Sequence, residues 1–157
     1  MTAANVARLP GAVPGKPSQG VERPLCCADV MRSSAYAVAP DTPVAATARL
    51  LATTGCSGVP VVSRDGRVIG LVTEVDLVRS GGSALPALVR DVMTAEPLVA
   101  PSRYDLAALI GLMLVAGTSV VPVVDGRQLV GMVDLRDLVR IVWRIDHPLP
   151  ASRQASG

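Results

Sequence analysis

Two stretches of the chain place polar side chains three residues apart, where an apolar run passes into a helix-forming segment. They are residues 70–76 (GLVTEVD) and residues 131–137 (GMVDLRD). Backbone N–H groups at the start of a helix favour anions, of which phosphate is the commonest. In the first stretch Gly70 allows a ligand close to the backbone, Thr73 offers a hydroxyl to a phosphate oxygen, and Asp76 offers two acceptors for a pair of sugar hydroxyls.

Helix capping is the alternative explanation of Thr73 and Asp76. A threonine at the N-cap followed three residues later by an acidic side chain is a common capping pattern. Capping alone accounts for both residues, and the same geometry can also serve a ligand. The stretch by itself leaves both interpretations open.

The two stretches belong to an internal repeat that organises the chain. Five short blocks recur in the same order after 60 to 62 residues, which is the sequence signature of a duplicated structural unit. The matched blocks are Asp-Val-Met at 29–31 and 91–93, a Val-Pro-Val-Val run within 58–62 and 120–124, Asp-Gly-Arg at 65–67 and 125–127, glycine at 70 and 131, and Asp-Leu-Val-Arg at 76–79 and 137–140.

Each repeat predicts the element order β-α-β-β-α. Gly55 and Gly117 should end the first long helix of each repeat, because glycine readily adopts the left-handed conformation found there. Two β-branched runs then follow, joined by an Asp-Gly turn that is typical of hairpins. The predicted extended pieces are 36–39 and 98–100, and the predicted helices are 43–54 and 74–79 in the first repeat and 103–116 and 135–145 in the second.

Over residues 26–145 both repeats resemble CBS domains, which occur in cystathionine β-synthase, inosine monophosphate dehydrogenase and AMP-activated kinase. The resemblance rests on the D-V-M, V-P-V-V and D-G-R blocks and on the Gly-x-x-Thr-x-x-Asp stretch before the last helix. It implies an α/β fold of two β-α-β-β-α CBS repeats packed with pseudo-two-fold symmetry. The expected boundaries are a flexible, Pro- and Gly-rich leader (1–24), repeat one (25–82), repeat two (83–146) and a C-terminal tail (147–157).

The resemblance also implies two clefts that the repeats share and that hold adenosine compounds. The motif of one repeat faces strand starts of the other, so that the predicted ligand-binding residues of the first cleft are Gly70, Leu71, Thr73, Asp76, Val99, Ser119 and Val120. The predicted residues of a second, weaker cleft are Tyr36, Ser57, Gly58, Met132, Asp134 and Asp137. For Tyr36, Ser57 and Ser119, a role in a turn or in the core is an equally good explanation.

The two clefts should differ in charge. Asp134 stands where the first motif has Thr73, and a carboxylate there would repel phosphate, although Arg136 could partly offset it. We therefore expect the first cleft to take a nucleotide, and the second to take a nucleoside, a cation or nothing.

These features predict a stand-alone regulatory module that binds AMP, ADP, ATP or S-adenosylmethionine and signals to a protein target in trans. The alternative is a ligand-free oligomerisation or interaction module. No catalytic residues, no metal site and no cofactor other than this ligand are expected. The single histidine, His147, lies in a proline-flanked tail, and no Ser/His/Asp set or cluster of metal ligands appears.

Composition disfavours several other partners. The net charge of +2 and the 2% aromatic content are too low for a nucleic-acid binder. The apolar run 106–124 is broken by Gly-Thr-Ser and should form a buried helix, a turn and a strand rather than a membrane span. Three cysteines, Cys26, Cys27 and Cys56, with no secretory signal at the N-terminus, suit ordinary reduced thiols in the cytoplasm.

The helix predicted at 103–116 has no polar face after Asp105, so it should be buried on every side. Its counterpart in the first repeat keeps Thr47, Arg49, Thr53 and Thr54 and should be more exposed. Related helices in CBS proteins often join two modules. We therefore expect a homodimer with Ala107, Ile110, Gly111 and Leu114 at or near the contact.

Overall fold

The computed structural model describes residues 23–33, 36–81 and 87–146, with side chains up to residue 141. The predicted tail with His147 lies outside the described residues, as does the predicted leader apart from residues 23 and 24. The elements, in chain order, are α1 (Cys27–Val30), α2 (Val44–Thr54), β1 (Gly58–Val62), β2 (Val68–Thr73), α3 (Glu74–Ser80), α4 (Val89–Val92), β3 (Thr94–Ala95), β4 (Ala100–Pro101), α5 (Leu106–Ala116), β5 (Val120–Asp125), β6 (Gln128–Asp134) and α6 (Leu135–Asp146).

Local sequence signals place the main boundaries of these elements. Gly55 and Gly117 both have φ of +66° at the ends of α2 and α5, which confirms the predicted helix stops. Gly66 and Gly126 have φ of +79° and +63° in the hairpin turns, as the Asp-Gly pairs predicted. The apolar run 106–124 forms a helix, a turn and a strand, as expected. None of the described helices is long and apolar enough to cross a bilayer.

Two one-turn helices were not in the predicted order. They are α1 and α4, formed by the two Asp-Val-Met segments, where Asp29 and Asp91 accept hydrogen bonds from the backbone N–H groups of Cys26 (2.8 Å) and Leu88 (3.1 Å). The hydrogen bond from the Cys26 N–H, together with Arg23, lowers the pKa of Asp29 to about 2. The predicted extended piece of the first repeat is reduced to a single parallel bridge between Val38 and Val61.

The two leading segments are exchanged between the repeats. Strand β3, which follows α4, pairs with β2 of the first repeat, giving the sheet β1-β2-β3, and β4-β5-β6 forms the second sheet. In return, Arg32, which follows α1, bridges Met132 in β6. Cys27 accordingly lies in the core of the second repeat, and Val89 in that of the first. Each repeat therefore completes the other, and the predicted boundaries at 82 and 83 stay a prediction.

The recurring pairs of methionine and glycine have a packing explanation. A Cβ on Gly131 would lie 2.7 Å from Sδ of Met31, and a Cβ on Gly70 would meet Sδ of Met93. Each methionine of an Asp-Val-Met segment thus lies over the glycine of the other repeat. A further apolar cluster of Leu71, Val120 and Met132 lies between the two sheets. The α/β fold of two repeats is confirmed.

The expectation that polar residues leave α2 exposed was wrong at one position. Thr47 is fully buried, and its hydroxyl donates to the carbonyl oxygen of Pro43 at 3.4 Å. A threonine that satisfies its hydroxyl on its own helix can be buried at little cost. In contrast, α5 buries Leu106, Leu109 and Met113 and leaves Leu114 and Val115 exposed, so it is not buried on every side within one chain.

Candidate functional site

The strand-to-helix turn from β2 to α3 is a capping box. Thr73 is the N-cap, and both its backbone N–H and its hydroxyl donate to Oδ2 of Asp76 at 2.8 Å, while its Oγ1 accepts from the Asp76 N–H at 3.4 Å. The capping interpretation is therefore confirmed. Within the described part of the chain, Oδ1 of Asp76 has no hydrogen-bond partner, and Asp76 lines the cavity beside this turn.

A cavity of about 480 Å³ adjoins this turn, and we call it the first cleft. It has contributions from both repeats, because the end of α5 and the start of β5 face the Thr73–Asp76 turn. Five of the residues predicted for this cleft line it: Leu71, Thr73, Asp76, Ser119 and Val120. Small-molecule sites typically measure about 300–1,000 Å³, so the first cleft has room for a ligand.

Two predicted residues do not line the first cleft. Gly70 is buried in β2, where it pairs with Ala95 and is covered by the side chain of Met93. Its lack of a side chain serves this methionine rather than the approach of a ligand. Val99 also lies outside the lining, where Pro97 and Leu98 of the same segment take part.

Sequence reasoning missed four polar residues of the first cleft, namely Glu74, Arg79, Thr94 and Thr118, and Ser57, which was predicted for the second cleft, also lines the first. Arg79 lies one turn after Asp76 on α3, a spacing that was visible in the sequence. Among the described residues it takes part in no ion pair. Thr94 reaches the cleft only because β3 pairs with β2, which no local pattern indicates.

The second cleft, beside the start of α6, is arranged differently. Asp134 is 5% exposed, and its carboxylate accepts hydrogen bonds from the N–H (3.0 Å) and the hydroxyl (3.1 Å) of Ser57 and from the N–H of Arg136 (2.9 Å). Ser57 thus lies beside Asp134, as predicted. The carboxylate is fully engaged with the protein at the position equivalent to Thr73.

Asp137, the counterpart of Asp76, is held by an arginine that sequence reasoning did not single out. Nε and Nη2 of Arg32 donate to its two carboxylate oxygens at 2.6 and 2.7 Å. This pairing raises the pKa of Arg32 above its usual value. Arg32 also approaches Sγ of Cys56, with Nη1 at 3.7 Å. Both oxygens of Asp137 are therefore occupied.

The space left in the second cleft is a cavity of about 60 Å³. Four of the six residues predicted for this cleft line the cavity, whereas Ser57 and Asp137 do not. The lining consists of Tyr36, Gly58, Met132 and Asp134, which were predicted, and of Arg32, Leu50, Leu51, Thr54, Cys56 and Val59. Gly58 also allows close packing of the repeats, because a Cβ there would lie 2.8 Å from Val120. This cavity is far smaller than an ordinary ligand site.

The expectation that the Arg136 guanidinium group partly offsets the charge of Asp134 was wrong, because that group lies against other residues. Nη1 donates to the Gly55 carbonyl oxygen at 3.0 Å, and Nη2 lies 3.3 Å from Glu74. The guanidinium group instead links α6 to the end of α2 and the start of α3. Among the described residues, no group of three potential metal-ligating side chains comes together.

Comparison with known proteins agrees with this architecture. The CBS domain family matches residues 27–82 and again residues 89–144. The chain belongs to the CBS domain family. Inosine-5'-monophosphate dehydrogenase of Thermoplasma acidophilum is 34% identical over 125 residues, which are 78% of this chain and 24% of the dehydrogenase. This chain therefore spans about a quarter of the length of that relative, and the likeness gives no indication of dehydrogenase activity.

Solved structures of CBS pairs share the fold over most of their length. The CBS domain pair of protein MJ0100, in complex with 5'-methylthioadenosine and S-adenosyl-L-methionine, has a TM-score of 0.71 at 21% identity, over 76% of this chain and 97% of that pair. CBSX2 of Arabidopsis thaliana, in complex with AMP, has a TM-score of 0.68 at 26% identity, over 77% of this chain and 98% of CBSX2. The CBS-pair fold is thus shown.

Proposed function

We propose that this CBS pair is a regulatory module that binds an adenosine-containing ligand in the first cleft and signals its occupancy to a partner. The observation that carries the proposal is the cavity of about 480 Å³ between the repeats, onto which Asp76 opens with one carboxylate oxygen free of partners among the described residues. AMP is the first ligand to test, because CBSX2 is similar to this chain and its structure holds AMP.

The proposal gives separate tasks to Asp76, to Arg79 and to the hydroxyls at the start of β5. Oδ1 of Asp76 accepts hydrogen bonds from ribose hydroxyls, while Oδ2 keeps the capping box closed. Arg79 supplies the positive charge for a phosphate, and the hydroxyl of Thr118 or Ser119 adds polar contacts. The apolar side chains of Leu71, Leu98 and Val120 cover the flat face of the base.

Binding in a cleft lined by both repeats gives a route to signalling. A ligand that contacts α3 of the first repeat and the start of β5 in the second stabilises one relative pose of the repeats over others. A protein target in trans that favours this pose would then respond to the ligand. Action on such a target, and a cytoplasmic location, remain parts of the proposal.

Substitution of Asp76 tests the site directly. Asp76→Ala removes the ribose acceptor, and loss of hydrogen bonds to a charged acceptor costs about 1.5–3 kcal/mol, or at least tenfold in affinity. Calorimetric titration with AMP should show one site in the wild type and this loss in the variant. Asp91→Ala is the matched control, because it also removes a capping carboxylate, which lies outside both clefts. Unchanged affinity in Asp76→Ala would contradict the proposed site.

A second candidate function is assembly without a ligand. It is favoured by large apolar side chains that one chain leaves exposed: Val115 (89%), Val78 (81%), Leu114 (69%), Val75 and Val139 (57% each). Such a surface suits contact with another molecule. If no adenosine compound binds at millimolar concentration while the protein is oligomeric, assembly becomes the preferred function.

A further inference from the structure

We propose that Arg32 closes the second cleft from within the chain, and that removing this arginine opens an adenosine site at Asp137. The inference rests on the proposed function of the first cleft. In this inference the guanidinium group of Arg32 takes the position at Asp137 that a ligand would use, which limits the module to one nucleotide.

The contact between Arg32 and Asp137 is fixed by the backbone around it. The N–H of Arg32 donates to the carbonyl oxygen of Met132 at 2.9 Å, and the N–H of Met132 donates back to Arg32 at 3.2 Å. Met31 lies over Gly131 next to this bridge. The arginine therefore starts from an anchored segment and meets the carboxylate with two parallel hydrogen bonds, which is the strongest arrangement for this pair of groups.

The first cleft shows what the same position looks like without an arginine. Thr94 pairs with Leu71 there, as Arg32 pairs with Met132 in the second cleft. The short threonine side chain leaves Asp76 open, and the cavity measures about 480 Å³, compared with about 60 Å³ for the cavity that Arg32 and Asp134 line in the second cleft. The difference between threonine and arginine at one equivalent position accounts for much of the inequality of the clefts.

The charge of Asp134 decides which ligand an opened second cleft would take. Its carboxylate remains in place, held by Ser57, when Arg32 is replaced. A neutral nucleoside such as adenosine can use Asp137 through its ribose hydroxyls, whereas a phosphate would meet an uncompensated carboxylate. We therefore expect the second cleft of Arg32→Ala to bind adenosine, and to bind AMP only when Asp134→Thr is added.

Titration of adenosine and AMP into the full chain tests this inference. Wild type should bind one AMP. Arg32→Ala should bind adenosine at an additional site, the second cleft, where its affinity for adenosine should be at least tenfold higher than that of wild type. Adding Asp137→Ala to this variant should remove the additional site. Arg32→Lys should fall between wild type and Arg32→Ala, because lysine keeps the charge but loses the paired hydrogen bonds. Arg90→Ala is the control, since it removes an exposed ion pair with Asp41 outside both clefts.

Alkylation of Cys56 gives a second measurement that does not depend on calorimetry. Cys56 lines the second cleft and contacts Arg32, so Arg32→Ala should accelerate its alkylation and adenosine should slow it again. If Arg32→Ala gains no adenosine site while AMP still binds at Asp76, the role of Arg32 is wrong and the proposed function stands. If wild type binds no AMP, the proposed function fails. The role of Arg32 is then judged separately, by whether Arg32→Ala binds adenosine in the second cleft.

Discussion

Asp76 and Asp137 show how far a single residue position could be interpreted from the sequence. Each is the last residue of one of the two equivalent stretches, 70–76 and 131–137. The capping geometry of Asp76 was predictable because Thr73 and Asp76 are close along the chain. The partner of Asp137 was not predictable, because Arg32 lies 105 residues away and reaches it only in the folded chain. Local contacts at a site can be predicted from spacing, whereas contacts across the fold need the structure.

The three cysteines differ in burial, and this leads to a prediction at the residue scale. Cys27 is fully buried in the core of the second repeat, and burial raises the pKa of its thiol to about 11. The thiolate is the form that reacts with alkylating reagents. At pH 8 the Cys27 thiol should therefore stay protonated and be the slowest of the three to react, while the half-buried Cys26 and Cys56 react first.

Mass spectrometry after timed treatment with iodoacetamide checks this order. Denatured protein is the control, in which all three thiols should react at similar rates. Rapid alkylation of Cys27 in the native protein would show that the α1 segment does not stay docked in the core of the second repeat.

At the scale of elements, the long helices and hairpins followed from the sequence, but the exchange of the leading segments did not. Gly55 and the Asp-Gly turns act on their immediate neighbours, so their effects can be predicted locally. Strand β3 has only two residues, and where it pairs with β2 the side chain of Met93 lies over Gly70. Such pairings depend on how side chains that are distant in the sequence pack together, so no periodicity in the sequence predicts them.

Gly131 gives a test of the exchanged packing. A Cβ at this position would lie 2.9 Å from the backbone oxygen of Arg32, which cannot move without displacing the bridge to Met132. We expect Gly131→Ala to lower the free energy of unfolding by about 1–3 kcal/mol, the usual cost of overpacking a core. Gly81→Ala is the matched control, because its φ is −64° and, among the described residues, a Cβ there makes only ordinary contacts at 3.5 Å. Urea unfolding curves of both variants measure the difference, and equal midpoints would contradict the close packing.

At the scale of the whole molecule, the repeat gives both halves one architecture, and single residue differences between the repeats make the two clefts unequal. The duplicated blocks made a pair of α/β units predictable, and the cluster of Leu71, Val120 and Met132 joins them. The asymmetry of the clefts was predicted from Asp134 alone. In the structure it has two sources, since Asp134 is satisfied by Ser57 and Asp137 by Arg32. The module therefore combines a symmetric frame with one open and one closed cleft.

The exposed apolar side of α5 predicts that two such modules associate. Leu114 and Val115 are 69% and 89% exposed, and the neighbouring positions Ala107 and Gly111 are exposed and small, which would allow another helix to approach closely. Burial of apolar surface stabilises association by roughly 25 cal/mol per Å² before the cost of lost motion is subtracted. Light scattering at tens of micromolar should give the mass of a homodimer, and a double variant with Leu114→Arg and Val115→Arg should give the mass of a monomer. Arg127→Glu, at the hairpin turn on the opposite end of β5 from α5, should leave the mass unchanged, and a wild-type monomer under these conditions would reject the association.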